Sequence, residues 1–179
     1  VLLGGIKRIG SVTEKLVPVM ACFYLVGGLV MLIANITNLP HAFALIFEGA
    51  FNPQAILGGA VGIGVREAMR YGVARGLFSN EAGMGSTPHA HAMAKVEKPQ
   101  DQGVVAMVCV FIDTFVVLTI TALVMITSGA LNVGDMAANP AAENMAQVAF
   151  STVFGSFGNF YVAICLLFFA FSTIIGWYF

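Results

Sequence analysis

The stretch Gly76-Leu77-Phe78-Ser79-Asn80-Glu81-Ala82-Gly83-Met84-Gly85-Ser86-Thr87-Pro88-His89-Ala90-His91 sets three glycines, a proline and a cluster of polar and ionisable side chains between apolar runs. Glycines at 76, 83 and 85 permit positive φ and close backbone approach, and Pro88 lacks a backbone donor. Ser79, Asn80, Ser86 and Thr87 compete for main-chain hydrogen bonds. The segment is therefore expected to interrupt a helix, and the rest of the chain is placed around it.

That surrounding chain is unlike a water-soluble domain. Of its 179 residues 59% are hydrophobic and 9% charged, against roughly 25% charged in soluble proteins. Runs of twenty or more residues without a charge predict an all-α membrane protein. The formal net charge of -1, with no basic face, excludes nucleic-acid binding. Cys22, Cys109 and Cys165 lie within apolar runs without metal-type spacing and read as small hydrophobes. The chain starts at Val1 with no signal-peptide pattern and stops inside an apolar run, so it is expected to be a piece of a longer protein.

Residues 1–179 are expected to form a single transmembrane domain fragment with about four spans. A lead-in containing Lys7, Arg8, Glu14 and Lys15 offers Ser11 or Thr13 as a helix cap, with Pro18 in the first turn. The first span is about 16–36, long enough at 1.5 Å per residue for a hydrocarbon core of about 30 Å. Gly27-Gly28 at its middle admits a closely packed helix, or is simply a tolerated pair of membrane glycines.

The second span, 42–65, is interrupted at Glu48-Gly-Ala-Phe-Asn-Pro-Gln54. Such a break within the membrane has to line a cavity or be buried in protein. The alternative reading makes the first half an interfacial helix. The 66–102 region, with Arg66, Arg70 and Arg75 near helical spacing, is expected to be amphipathic helix and loop at an aqueous edge. The third and fourth spans are 103–130 and 148–178. All eight Lys and Arg fall in the lead-in or in 65–98, which makes that side, and the polar stretch at 76–91, cytoplasmic.

Phe78-Ser-Asn-Glu-Ala-Gly-Met-Gly-Ser-Thr-Pro-His-Ala-His91 resembles the signature of the alanine or glycine:cation (sodium:alanine) symporter family. Ser11-Val-Thr-Glu-Lys-Leu-Val-Pro18, Phe111-Ile-Asp-Thr114 and Phe171-Ser-Thr-Ile-Ile-Gly-Trp177 are similar too, so the likeness spans nearly the whole chain. It implies sodium-coupled symport of a small neutral amino acid, alanine or glycine, with a proton as the other candidate coupling ion. It further implies alternating access, no cofactor beyond the coupling ion, and multi-pass residence in a bacterial plasma (inner) membrane. The implied fold is a leucine-transporter-like bundle of inverted repeats, of which these spans resemble core helices five to eight. The family's first core helix falls outside these residues.

On that resemblance Ser172 and Thr173 correspond to hydroxyls of the sodium site, and Thr173 with Trp177 to the substrate site. Hard cations favour oxygen ligands, and Ser172-Thr173 before Gly176 is the best hydroxyl pair in the chain. The alternatives are hydroxyls bonded back to their own helix and Trp177 as an interfacial belt residue. Ser79, Asn80 and Glu81 form a candidate gating or signature loop, with Asn80 and Glu81 pairing with Arg75 or a neighbouring arginine. Plain capping is the other reading. Asp113, deep in the third span, is a candidate intramembrane acid that bonds within the bundle or couples to a proton.

A different function class remains in view: a membrane-embedded hydrolase or acyltransferase using Ser79 or Ser86 with His89 or His91 and Glu81. No Gly-x-Ser-x-Gly elbow accompanies these residues. His89 and His91, two apart, do not make a metal set. A channel is disfavoured because no filter-like run occurs.

Overall fold

The computed structural model describes residues 5–51, 61–130 and 144–177, and every regular element among them is helical. Helix α1 is Gly5–Ala34, followed by a 3₁₀ turn at Ile36–Asn38 and α2, Leu39–Phe51. Then come α3 (Val61–Ser79), the short α4 (Ser86–His91) and α5 (Pro99–Phe111). A π-helical turn, Ile112–Val117, joins α5 to α6, Leu118–Thr127. Helices α7 (Met145–Phe154) and α8 (Ser156–Gly176) close the described chain.

Three of these helical runs are long and apolar enough to cross a membrane: Arg8–Ala34, Pro99–Thr127 and Ser156–Gly176. The sequence counted about four. The 42–65 stretch falls partly on residues 52–60, outside the described residues. Of its expected break, Glu48–Phe51 continue α2 as helix and the remainder lies in that range.

Two local readings are corrected. The first helix begins at Gly5 rather than at a Ser11 or Thr13 cap, and Pro18 is interior to it. Nothing between Gly5 and Lys15 breaks a helix, and Thr13 returns its hydroxyl to the Ile9 carbonyl at 2.9 Å instead of capping. The 148–178 stretch is not one rod but α7 and α8, turned at Gly155 with φ 58.

The chain forms two compact units, residues 1–39 with 119–179, and residues 40–118. In the first, α1, α7 and α8 pack together. Its buried side chains include Met31, Val124, Phe150 and Val162. Tyr161 of α8 lies against Gly27, where any Cβ would overlap its ring, and Ile120 lies against Gly28. The glycine pair thus serves close packing. Tyr24 joins this core through a 2.5 Å hydroxyl contact with Thr121 and an edge-on contact with Phe169.

The second unit holds α2, α3, α4, α5 and the π turn. Arg66, Arg70 and Arg75 are exposed on α3, and Arg70 stacks 5.9 Å from the centre of the Tyr71 ring.

Candidate functional site

Helix α3 stops at Ser79 and α4 starts at Ser86, leaving residues 80–85 as turn. Gly83 and Gly85 have φ of 77 and 83, and Glu81, a non-glycine, has φ 50. These left-handed residues turn the chain where an α-helix could not continue.

Side chains hold the turn at both ends. The Glu81 carboxylate accepts hydrogen bonds from Ser86 and Thr87, each at 2.8 Å. That pair ties the turn to the start of α4 and holds the backbone of Glu81 in its uncommon conformation. Asn80 donates through Nδ2 to the Gly76 carbonyl at 3.1 Å, capping the end of α3.

Across from the turn lies the π-helical segment. The Ser79 hydroxyl donates to Asp113 Oδ2 at 2.7 Å, and the Thr114 hydroxyl donates to Asn80 Oδ1 at 3.2 Å. A pocket of about 220 Å³ opens here, lined by Ser79, Asn80, Glu81, Thr87, Cys109 and Asp113 among others. The site is rich in oxygen: the two carboxylates of Glu81 and Asp113, the hydroxyls of Ser79 and Thr87 and the Asn80 amide line it. Such a donor set suits a cation or a small zwitterion better than an apolar ligand. Beneath α4 a second pocket of about 560 Å³ is bounded by Pro88, His91, Val96, Pro99 and Gln102.

The structure thus joins the Ser79-Asn80-Glu81 loop to Asp113, which the sequence had placed in a separate role as an intramembrane acid. Glu81 is held by hydroxyls of its own loop. Asp113 accepts the hydroxyl proton of Ser79, at the end of α3. Thr114, adjacent to Asp113, was missed as a partner of the turn, although it stands in the quoted Phe111-Ile-Asp-Thr114 run.

Among the described residues Ser79 and Ser86 are bonded to carboxylates rather than to a histidine, His89 Nδ1 contacts the Gly85 carbonyl at 2.7 Å, and His91 Nδ1 contacts Gln102 at 2.6 Å. A nucleophile aligned with its base is not what this loop builds. Among the described residues no group of three or more His, Cys, Asp or Glu could hold a metal.

Ser172, Thr173 and Trp177 lie in the other unit, the first two near the end of α8 and Trp177 as its C-cap residue. The hydroxyls of Ser172 and Thr173 donate to the Phe169 carbonyl at 2.9 and 2.8 Å. Ser172 also reaches Met20 Sδ on α1 at 3.6 Å. Thr173 and Trp177 share an exposed flank, with Trp177 at the helix end.

The 76–91 turn and its flanks match a sequence profile that covers residues 1–179 without interruption, that of the sodium:alanine symporter family. The chain belongs to that family. The sodium:alanine symporter family is one of transporters, so the hydrolase reading is set aside. Among relatives, the sodium/alanine symporter AgcS of Methanococcus maripaludis is 44% identical over 177 residues, 99% of this chain and 38% of that protein. The sodium/proton-dependent alanine carrier protein of Bacillus sp. (strain PS3) is 37% identical over 188 residues, 99% of this chain and 41% of the relative. The probable sodium/glutamine symporter GlnT of Bacillus subtilis is 37% identical over 179 residues, 100% of this chain and 36% of the relative. The chain therefore spans about two fifths of the curated relatives it matches. Family membership with three membrane-length apolar helices makes it part of an integral membrane protein.

Proposed function

We propose that the full-length protein is a secondary active transporter that takes up a small neutral amino acid, alanine or glycine, with sodium. The observation that carries this is the glycine-opened break between Ser79 and Ser86, walled by the oxygens of Glu81, Asp113, Asn80 and Thr114. An interrupted helix exposes main-chain dipoles to a small charged guest at little desolvation cost, the device by which carriers bind ions and zwitterions inside a bilayer.

In this reading the spans are part of a leucine-transporter-like pair of inverted repeats in a bacterial plasma membrane, and access alternates as the repeats rock. Ser172 and Thr173 serve the sodium ion, and Thr173 with Trp177 the substrate. Both hydroxyls now bond to Phe169 through their hydrogens, which leaves their oxygen lone pairs to face a cation. Names of relatives support alanine as substrate and sodium or a proton as coupling ion.

The test is uptake of radiolabelled alanine into liposomes bearing the full-length protein, with and without an inward sodium gradient. Labelled glycine and glutamine are run in parallel, and each also serves unlabelled as a competitor of alanine. Sodium-driven accumulation that glycine inhibits is expected. Absence of gradient-driven accumulation of all three would overturn the proposal, and accumulation driven by a pH gradient alone would replace sodium with a proton.

A further inference from the structure

Two consecutive residues on the π turn each grip one of two consecutive residues at the end of α3: Asp113 takes Ser79, and Thr114 takes Asn80. On an ordinary α-helix, neighbours in sequence point in directions about 100° apart and seldom address the same partner element. Here the helix is wound in the wider i→i+5 register over Ile112–Val117, with the amide of Leu118 bonded to the carbonyl of Asp113. Single π turns of this kind are uncommon and concentrate at functional sites. The irregular turn and the paired grip occur at the same two residues.

The grip is also asymmetric in strength. Ser79 to Asp113 is a short, charge-assisted hydrogen bond at 2.7 Å, whereas Thr114 to Asn80 joins neutral groups at 3.2 Å. Asn80 in turn caps Gly76, so the π turn acts on the last turn of α3 through two routes. Asp113 is otherwise set in the apolar run Pro99–Thr127, where a carboxylate is costly unless it is paired.

We infer that Asp113 and Thr114 are positioning residues: by holding Ser79 and Asn80 they fix where α3 ends and so the geometry of the 80–85 break, on which turnover depends. In this role the Asp113 carboxylate acts through the Ser79 hydroxyl and does not itself carry the coupling ion. The inference builds on the symport reading for its transport consequence, but the clasp itself is a statement about segment 80–85 that needs no substrate.

The test uses the full-length protein in lipid and two readouts. The first is amide hydrogen exchange of the peptide covering 80–85. Ser79→Ala and Asp113→Ala are expected to speed its exchange about tenfold or more, and the double variant no further than either single one. Asp113→Asn, which still offers an acceptor oxygen, is expected to fall between wild type and Asp113→Ala. Thr114→Val is expected to speed exchange less, and Thr114→Ser to restore it. Unchanged exchange in both Ser79→Ala and Asp113→Ala would overturn the clasp whatever the protein transports.

The second readout is uptake. Asp113→Asn is expected to lower the maximal rate several-fold, with the sodium concentration for half-maximal uptake unchanged and the effect abolished in a Ser79→Ala background. Loss of sodium dependence in Asp113→Asn, or an effect that persists undiminished in that background, would show that Asp113 handles the ion directly and would overturn the positioning role. Failure of wild-type uptake with clasp-dependent exchange intact would strike the symport reading alone.

Discussion

Tyr161 lies directly against Gly27: its ring occupies the space a Cβ on residue 27 would need, and its hydroxyl donates to the Phe23 carbonyl one turn away. The α1–α8 contact depends on the missing side chain. Phe23, Phe150 and Phe154 surround the same ring, with centroids 4.6, 5.5 and 5.9 Å away.

Gly27→Ala should therefore destabilise the full-length protein by about 1–3 kcal/mol through overpacking. Tyr161→Phe, which keeps the ring and loses the hydroxyl, should cost about 0.5–1.5 kcal/mol. Thermal unfolding of the detergent-solubilised protein measures both. A Gly27→Ala variant as stable as wild type would contradict the packing described.

Glu81 combines a left-handed φ with two accepted hydroxyl bonds. Glu81→Gln retains an acceptor oxygen and should transport within a few-fold of wild type. Glu81→Ala loses both bonds while keeping a backbone strain of about 1–3 kcal/mol, and should be far less active. Glu81→Gly loses the bonds but relieves the strain, which places it between. Initial rates of alanine uptake give the order, and equal activity of Ala and Gly variants would remove strain from the account.

Ser172 and Thr173 separate a sodium ligand from a helix-internal bond. If their oxygens face sodium, Ser172→Ala and Thr173→Val should each raise the half-saturating sodium concentration about tenfold, equivalent to about 1.4 kcal/mol. Trp177→Ala should raise the KM for the amino acid. Unchanged sodium dependence in both hydroxyl variants would confine them to bonding Phe169.

Orientation is tested by labelling. With Cys22, Cys109 and Cys165 replaced, a cysteine at exposed Lys98 should react with a membrane-impermeant maleimide only after cells are permeabilised. A cysteine at exposed Asn144 should react in intact cells, as the positive-inside rule requires of a segment without Lys or Arg. The reverse pattern would invert the topology.

Much of this architecture is legible from residue order because lipid leaves few choices. An uncharged run of membrane length has to satisfy its own backbone, so α1 and the Pro99–Thr127 run could be anticipated. The interruption at 80–85 was equally readable, because Gly83 and Gly85 announce the positive φ that the turn uses. Helix boundaries were less so. Polar Ser11 and Thr13 look like caps, yet a hydroxyl can bond back within a helix, and the pattern of residues does not separate the two cases. The corner at Gly155 was hidden inside an apolar stretch that carries no polar loop.

By itself the order of residues determined the membrane solvent, the place of the helix break and membership of a symporter family, since hydropathy, glycine placement and a fourteen-residue signature are properties of the linear chain. Tertiary structure alone decided that Ser79 meets Asp113 and that Asn80 meets Thr114, in each case across 34 residues. It also decided that the π turn is where they meet. Hydrogen bonds between distant side chains depend on how two helices are brought side by side and in what register. A local pattern carries the chemistry of each partner but not their pairing.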